Sequence, residues 1–268
     1  MDLNDDDKNK LKYYKKYRVI YLNLSTGNYY VKYCSDEEIF KELLAEKIFD
    51  IVGINCPKYY MFKKEHCVLS EDLNKYNNFY AADELTIDIA SINNLKDFFE
   101  FQFDKYNRFK NIDELMFQIN MMHFIDILFS NIDRHTGNYG FCLNDDGTCD
   151  LVVFDHGEFL DNFDKATRPV SFPFNNPNSY ALYSKECECR YFMENADDNV
   201  LEMIRIILSK FNINTVRLLM KEVEKDVNYK FKCKRRLFLS YIKNYLLIYK
   251  IFLSNINQRK DGYSKNRQ

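Results

Sequence analysis

The chain has 268 residues, 46% of them hydrophobic, enough to build the core of one large domain or two small lobes. Its 38 basic and 40 acidic residues leave a formal charge of −2, so no global field draws it to nucleic acid or to an anionic membrane, and neither is expected as a partner. The opening MDLNDDDKNK lacks the apolar segment of a signal peptide, and no run approaches the roughly 18 apolar residues of a membrane helix, so a cytoplasmic protein is expected.

Residues 1–12 read as a disordered lead-in. Two strands follow, 17–22 and 28–34, around the glycine-containing turn Ser25-Thr26-Gly27-Asn28. Ser35 is placed as an N-cap with Glu38 three residues later, and Ile39, Leu43, Ile48 and Val52 give a helix over 36–52 its apolar stripe. Further strands at 58–62 and 67–70 complete a small antiparallel sheet, and an Asn-rich stretch after Ser70 reads as a hinge. Helices are expected over 95–109 and over 112–129, the latter with Leu115, Ile119, Met122, Ile125 and Phe129 at helical spacing. Runs 139–143 and 150–154, joined by Asn-Asp-Asp-Gly, read as a hairpin. Residues 158–177 hold three of the four prolines and read as irregular. Helical periodicity returns over 198–211, 214–225 and 230–255, before a polar tail at 256–268 expected to fray.

The chemistry concentrates between Asn131 and Leu160, which holds four of the seven glycines. Asp133, Asn138 five positions on, and Asp155-His156-Gly157 after an apolar run are the groups that phosphoryl transfer to a hydroxyl needs. One carboxylate orients the acceptor, while an amide and a second carboxylate hold magnesium on the nucleotide phosphates. The helix before the loop and the hairpin after it would set the three side by side. No other metal is expected: the eight cysteines lie mostly singly in apolar runs and read as reduced and buried, and Cys187-Glu188-Cys189 is half a metal site without a second half.

Asp-Arg-His-x-x-Asn followed by Phe-Asp-x-Gly resembles the HipA-like serine/threonine kinases, including their CtkA-like branch, and is also similar to the motif of phosphatidylinositol 3- and 4-kinases. Tyr29-Tyr30-Val31-Lys32-Tyr33, Glu42 and Val52-Gly53-Ile54-Asn55-Cys56-Pro57 look like that family's lysine strand, glutamate helix and return turn, so the resemblance spans about residues 17 to 177. It implies that Lys32 and Glu42 serve the phosphates, with Glu46 as the alternative glutamate one turn on. Asp133 is the implied base and His135 a second candidate proton acceptor, Arg134 is structural or phosphate-facing, and His156 packs or hydrogen-bonds. One departure stands out: Gly27 is the only glycine in the first 52 residues, so no glycine-rich phosphate loop precedes Lys32, and Lys15-Lys16 or Ser25-Thr26 would have to replace it.

The expectation is therefore an α+β, two-lobed protein-kinase-like fold, with a small antiparallel-sheet N-lobe (13–70), a hinge (71–85) and a mainly helical C-lobe carrying the catalytic loop (86–268). It would be an ATP-dependent serine/threonine protein kinase using ATP and Mg2+, with Asp133 and His135 catalytic, Lys32, Glu42, Asn138 and Asp155 on the cofactor, and Asn138 and Asp155 on the metal. A protein substrate with a serine or threonine hydroxyl is the implied partner. A lipid or small-molecule kinase shares every one of these residues, and the glycine-poor loop leaves room for a catalytically silent ATP-binding module.

Overall fold

In the computed structural model, which describes residues 3–73, 78–89, 95–131, 133–161, 167–171, 180–184 and 198–265, the chain opens with a helix and not with a disordered lead-in. Helix α1 (Asp5–Tyr14) is capped by the Asn4 side chain, which accepts from the Asp7 amide at 2.8 Å, and its acidic first turn suits the positive end of the helix dipole. Leu3 and Leu11 are buried, which a polar composition conceals because the sheet beneath supplies the rest of the apolar surface.

That sheet is antiparallel, in the order β1-β2-β4-β3, built from β1 (Val19–Leu24), β2 (Gly27–Tyr33), β3 (Tyr59–Phe62) and β4 (Cys67–Glu71). Side chains alternate between its faces. Leu22, Leu24, Tyr29, Val31 and Leu69 meet α1, whereas Val19, Tyr30, Lys32, Val68 and Ser70 look into a cleft. Helix α2 (Asp36–Val52) starts at a complete Ser35/Glu38 capping box and stops at Gly53, whose φ of 76° is the left-handed cap. Its expected stripe undercounts the burial. Phe40, Leu44, Ala45 and Phe49 are buried as well, because α2 is covered by the lower lobe too, with Phe40 stacked on Phe231.

The stretch expected as a hinge is only partly a linker: it contains β5 (Phe79–Ala81) and the start of α3 (Ala82–Ile89). Strand β5 pairs with β6 (Tyr139–Leu143), itself paired with β7 (Cys149–Val153), so the expected hairpin gains a third strand. Gly140 makes this possible, since a Cβ there would lie 2.5 Å from the Tyr80 carbonyl oxygen. Helices α4 (Leu95–Tyr106) and α5 (Ile112–Leu128) follow the expected spans, and all five expected apolar positions from Leu115 to Phe129 are fully buried.

The segment read as irregular contains β8 (Thr167–Ser171), which pairs with β9 (Tyr180–Ser184) just after it; residues 162–166 and 172–179 lie outside the described residues. The lower lobe is completed by α6 (Asp198–Lys210), α7 (Ile213–Val227) and α8 (Lys232–Lys265), the last running through most of the tail expected to fray. Tyr241 donates to the Ile127 carbonyl at 2.6 Å and ties α8 to α5. Cys34, Cys56, Cys67, Cys142 and Cys149 are free thiols, and Cys187 and Cys189 lie outside the described residues.

Candidate active site

Strand β2 presents Lys32 to the cleft, directly opposite Val19 of β1 and Val68 of β4. Helix α2 brings Glu42 to meet it: Nζ lies 2.8 Å from Oε1, and the Glu42 side chain is only 1% exposed. The second oxygen, Oε2, accepts from the backbone N–H of His156 at 2.8 Å, so both ends of the carboxylate are held. Glu46, the alternative, accepts instead from the Tyr59 amide at 3.3 Å.

Asp155 completes the cluster with Oδ1 2.7 Å from Lys32 Nζ. Its φ of 52° puts a non-glycine residue in the left-handed region, a strained conformation that aims the carboxylate back at the cleft. Gly157 leaves room beside the ammonium: a Cβ there would stand 2.8 Å from Lys32 Nζ and shift it on its two carboxylates. Burial works against the lysine charge, but Glu42 and Asp155 outweigh it and raise the Lys32 pKa above its usual value. Burial also opposes ionisation of Asp155, yet Lys32 holds that carboxyl below the ordinary carboxylate range. For Glu42 burial dominates and pushes the carboxyl upward, with Lys32 opposing.

The loop before β6 is organised by Arg134, which is buried and so is the structural alternative of its two readings, not the phosphate-facing one. Nε and Nη2 donate to the two Asp126 oxygens at 2.9 and 3.1 Å, and Nη1 donates to the carbonyls of Asn138 and Phe154 at 2.7 and 3.1 Å. Nη2 also donates to His156 Nδ1 at 3.1 Å, so all five guanidinium N–H groups are engaged. His156 is fully buried, stacks on Phe49 and has Nε2 3.5 Å from Cys56 Sγ. Burial first, and then Arg134 and Lys32, hold its pKa well below the usual imidazole value, so it is a neutral packing and hydrogen-bonding group.

Asn138 follows Asp133 through one short turn, and its Nδ2 donates to the Asp133 carbonyl at 2.6 Å, leaving the amide oxygen for a cation. The Phe154 amide donates to the Asn138 carbonyl at 3.0 Å, which extends the β6–β7 register and sets Asn138 beside the residue before Asp155. An amide oxygen and a carboxylate are hard donors of the kind Mg2+ prefers, and they fit it. Asp133 and His135 stand on the open side, 52% and 41% exposed and 4.0 Å apart between Oδ2 and Nε2. His135 Nδ1 accepts from the Gly137 amide at 3.0 Å, which caps the turn. The structure thus gathers Lys32, Glu42 and Asp155 in direct contact, with Asn138 adjoining and the two proton-transfer candidates at the rim.

Two residues escaped the sequence reading. Asp126 anchors Arg134 and Asn131, whose amide donates to it at 2.8 Å; a charged residue amid the buried positions Met122, Ile125 and Phe129 was the available signal. Lys41, buried beside Glu42, lies 2.8 Å from Asp161 and donates to the Gly157 carbonyl at 3.2 Å, a second bridge from α2 to the loop after Asp155. Between the lobes lies a cavity of about 400 Å3 whose lining joins Lys32, Glu42 and Asp155 with the apolar side chains of Val68, Leu73, Phe79 and Phe154.

A family model described as phosphatidylinositol 3- and 4-kinase matches residues 2–205. Among solved structures, the chain is similar to the proinflammatory kinase CtkA of Helicobacter pylori, with a TM-score of 0.61 over 97% of each chain at 16% identity, a likeness of fold. No curated protein matches the sequence.

Proposed function

Because the chain belongs to the phosphatidylinositol 3- and 4-kinase family, we propose that it transfers the γ-phosphate of ATP to a serine or threonine hydroxyl of a protein. The observation that carries this reading is Lys32 held between Glu42 and Asp155 at one end of the cleft. The protein acceptor is supported by the HipA-like pattern from Asp133 to Gly157.

In this scheme the adenine lies against the apolar residues of the cavity and Lys32 meets the α- and β-phosphates, with Glu42 fixing its direction. Asn138 and Asp155 would hold Mg2+, which when bound neutralises phosphate charge. Asp133 orients the acceptor hydroxyl and takes its proton, and Arg134 keeps loop and strand in register without touching the nucleotide. A second reading is favoured by the family itself, whose description names a lipid inositol as acceptor. Incubation with γ-labelled ATP and Mg2+, with a generic protein substrate or with phosphatidylinositol vesicles, beside Asp155→Ala, separates them. Label on protein that needs Asp155 supports the proposal; label on lipid alone selects the second reading; no label on either overturns both.

A further inference from the structure

Resting on the kinase reading, we propose that the turn between α1 and β1, residues 15–18, is the polyphosphate clamp of this cleft, with Lys15, Lys16 and Arg18 doing by charge what a glycine-rich loop does by backbone amides. The cleft has a charge problem that calls for one. Among the described residues its lining includes the carboxylates of Glu42, Glu71, Asp83, Glu84 and Asp155 against one cation, Lys32. Lys32 is already shared between two of those carboxylates. A nucleotide triphosphate entering such a site needs positive charge beyond Lys32, and a bound metal ion supplies only part of it.

Two segments of the N-lobe are candidates, and the strand register separates them. The Ser25-Thr26 turn lies past the Leu24–Gly27 pair, while Lys32 pairs with Val19 at the opposite end of the hairpin. Five residue steps put the two ends roughly 16 Å apart. The far turn is also spoken for: the Ser25 amide donates to both oxygens of Asp7 at 3.1 and 3.2 Å, and its hydroxyl to Oδ2. A buried carboxylate behind that turn repels phosphate.

Residues 15–18 sit at the near end. Arg18 accepts from the Tyr33 amide at 2.8 Å through its carbonyl, and Val19, the next residue, lines the cavity opposite Lys32. The run Lys12-Tyr13-Tyr14-Lys15-Lys16-Tyr17-Arg18 carries four cations and no acid in a chain whose formal charge is −2. Lys15, Lys16 and Arg18 are exposed. Among the described residues Lys15 and Lys16 have no carboxylate within 4.0 Å, and Arg18 is held only by Glu38 at 3.6 Å with 77% of its side chain exposed. Lys16 lies 5.3 and 5.1 Å from the Tyr13 and Tyr17 ring centroids, which shapes the turn while leaving the charge uncancelled. Lys16 is three residues from Val19, so its Cα is within about 11 Å of that wall, a gap its side chain goes far to close.

The test compares binding of MgATP and of adenosine to the full chain, the triple variant Lys15→Gln, Lys16→Gln, Arg18→Gln, and the control Ser25→Ala, Thr26→Ala. The clamp requires the triple variant to lose at least tenfold in MgATP affinity and most of its salt dependence, with adenosine affinity within twofold of wild type; the control keeps full MgATP affinity. A triple variant that binds MgATP as wild type does, whether or not its melting temperature drops, overturns the clamp and leaves the kinase reading standing. Wild type that binds neither ligand overturns both.

Discussion

Lys32 and Asp155, 123 positions apart in the chain, meet at 2.7 Å across the cleft. The ammonium and the carboxylate are partners there, and in the proposed scheme each has a further role of its own, Lys32 on the phosphates and Asp155 on Mg2+. Asp155 is 52% exposed, and a pair that open to water adds little to stability. Asp155→Asn should therefore lower kcat by about 100-fold or more, close to 3 kcal/mol of transition-state stabilisation, while leaving the melting curve nearly unchanged. Steady-state turnover beside calorimetry checks it; turnover within tenfold of wild type removes Asp155 from the chemistry.

Glu42 and Glu46 give a sharper contrast. Glu42→Gln leaves a half-buried Lys32 with one carboxylate and should weaken MgATP binding or turnover at least tenfold, with a stability loss of about 1–3 kcal/mol. Glu46→Gln retains an acceptor for the Tyr59 amide and should keep wild-type kinetics. Equal effects of the two would mean that the lysine has no fixed partner.

Arg134 tests the loop's construction. Replacing it with Met strands the buried Asp126 carboxylate and two carbonyls, an expected cost of about 3–5 kcal/mol. Lysine, with one ammonium, cannot span Asp126, Asn138 and His156 together, so Arg134→Lys should recover only part. Chemical denaturation gives the number, and a loss under 1 kcal/mol for Met would show that the network is ornamental.

Base and cap can be told apart at the rim. Asp133→Ala should cost on the order of 1,000-fold in kcat, whereas His135→Asn, which can still accept the Gly137 amide, should cost less than tenfold. If the histidine change is the more damaging, the proton goes to His135.

Glu158 is held above the ordinary carboxylate range. A hydrogen bond with Asp161, then burial and the Asp161 charge, lift its pKa from 4.5 to about 7. A carboxyl whose folded pKa is raised contributes stability below its unfolded value and loses it as pH rises through the folded one. The wild type should thus melt at lower temperature at pH 8 than at pH 6, because ionised Glu158 repels the Asp161 that Lys41 holds. Glu158→Gln should abolish that component, and identical pH profiles for the two proteins would show that the pair shares no proton.

Local signals were legible in the sequence wherever a single element decided them. The Ser35/Glu38 box and Gly53 bounded α2 to the residue, and the apolar spacing from Leu115 to Phe129 marked the buried face of α5. Lys32 and Glu42 could be named only through the resemblance to a kinase family, and Asp155 through the Asp-x-Gly that closes the motif. What stayed hidden depends on a partner far away in the chain. Strand β5 is three residues long and exists because Gly140 lets it approach β6, and α1 is amphipathic only with respect to a sheet formed later. Lys41, buried beside Glu42, carries no such local mark, since its partners Gly157 and Asp161 lie more than a hundred residues on.

The placement of α1 has a practical edge. Someone trimming this protein by eye would cut before residue 13, discarding what looks like dispensable polar leader. The cut would strip the cover from Leu22, Leu24, Tyr29, Val31 and Leu69 at once and leave the β1–β2 turn without Asp7. A shortened version would emerge from the ribosome with one greasy sheet face open to its neighbours, and would be found in the pellet rather than in the assay.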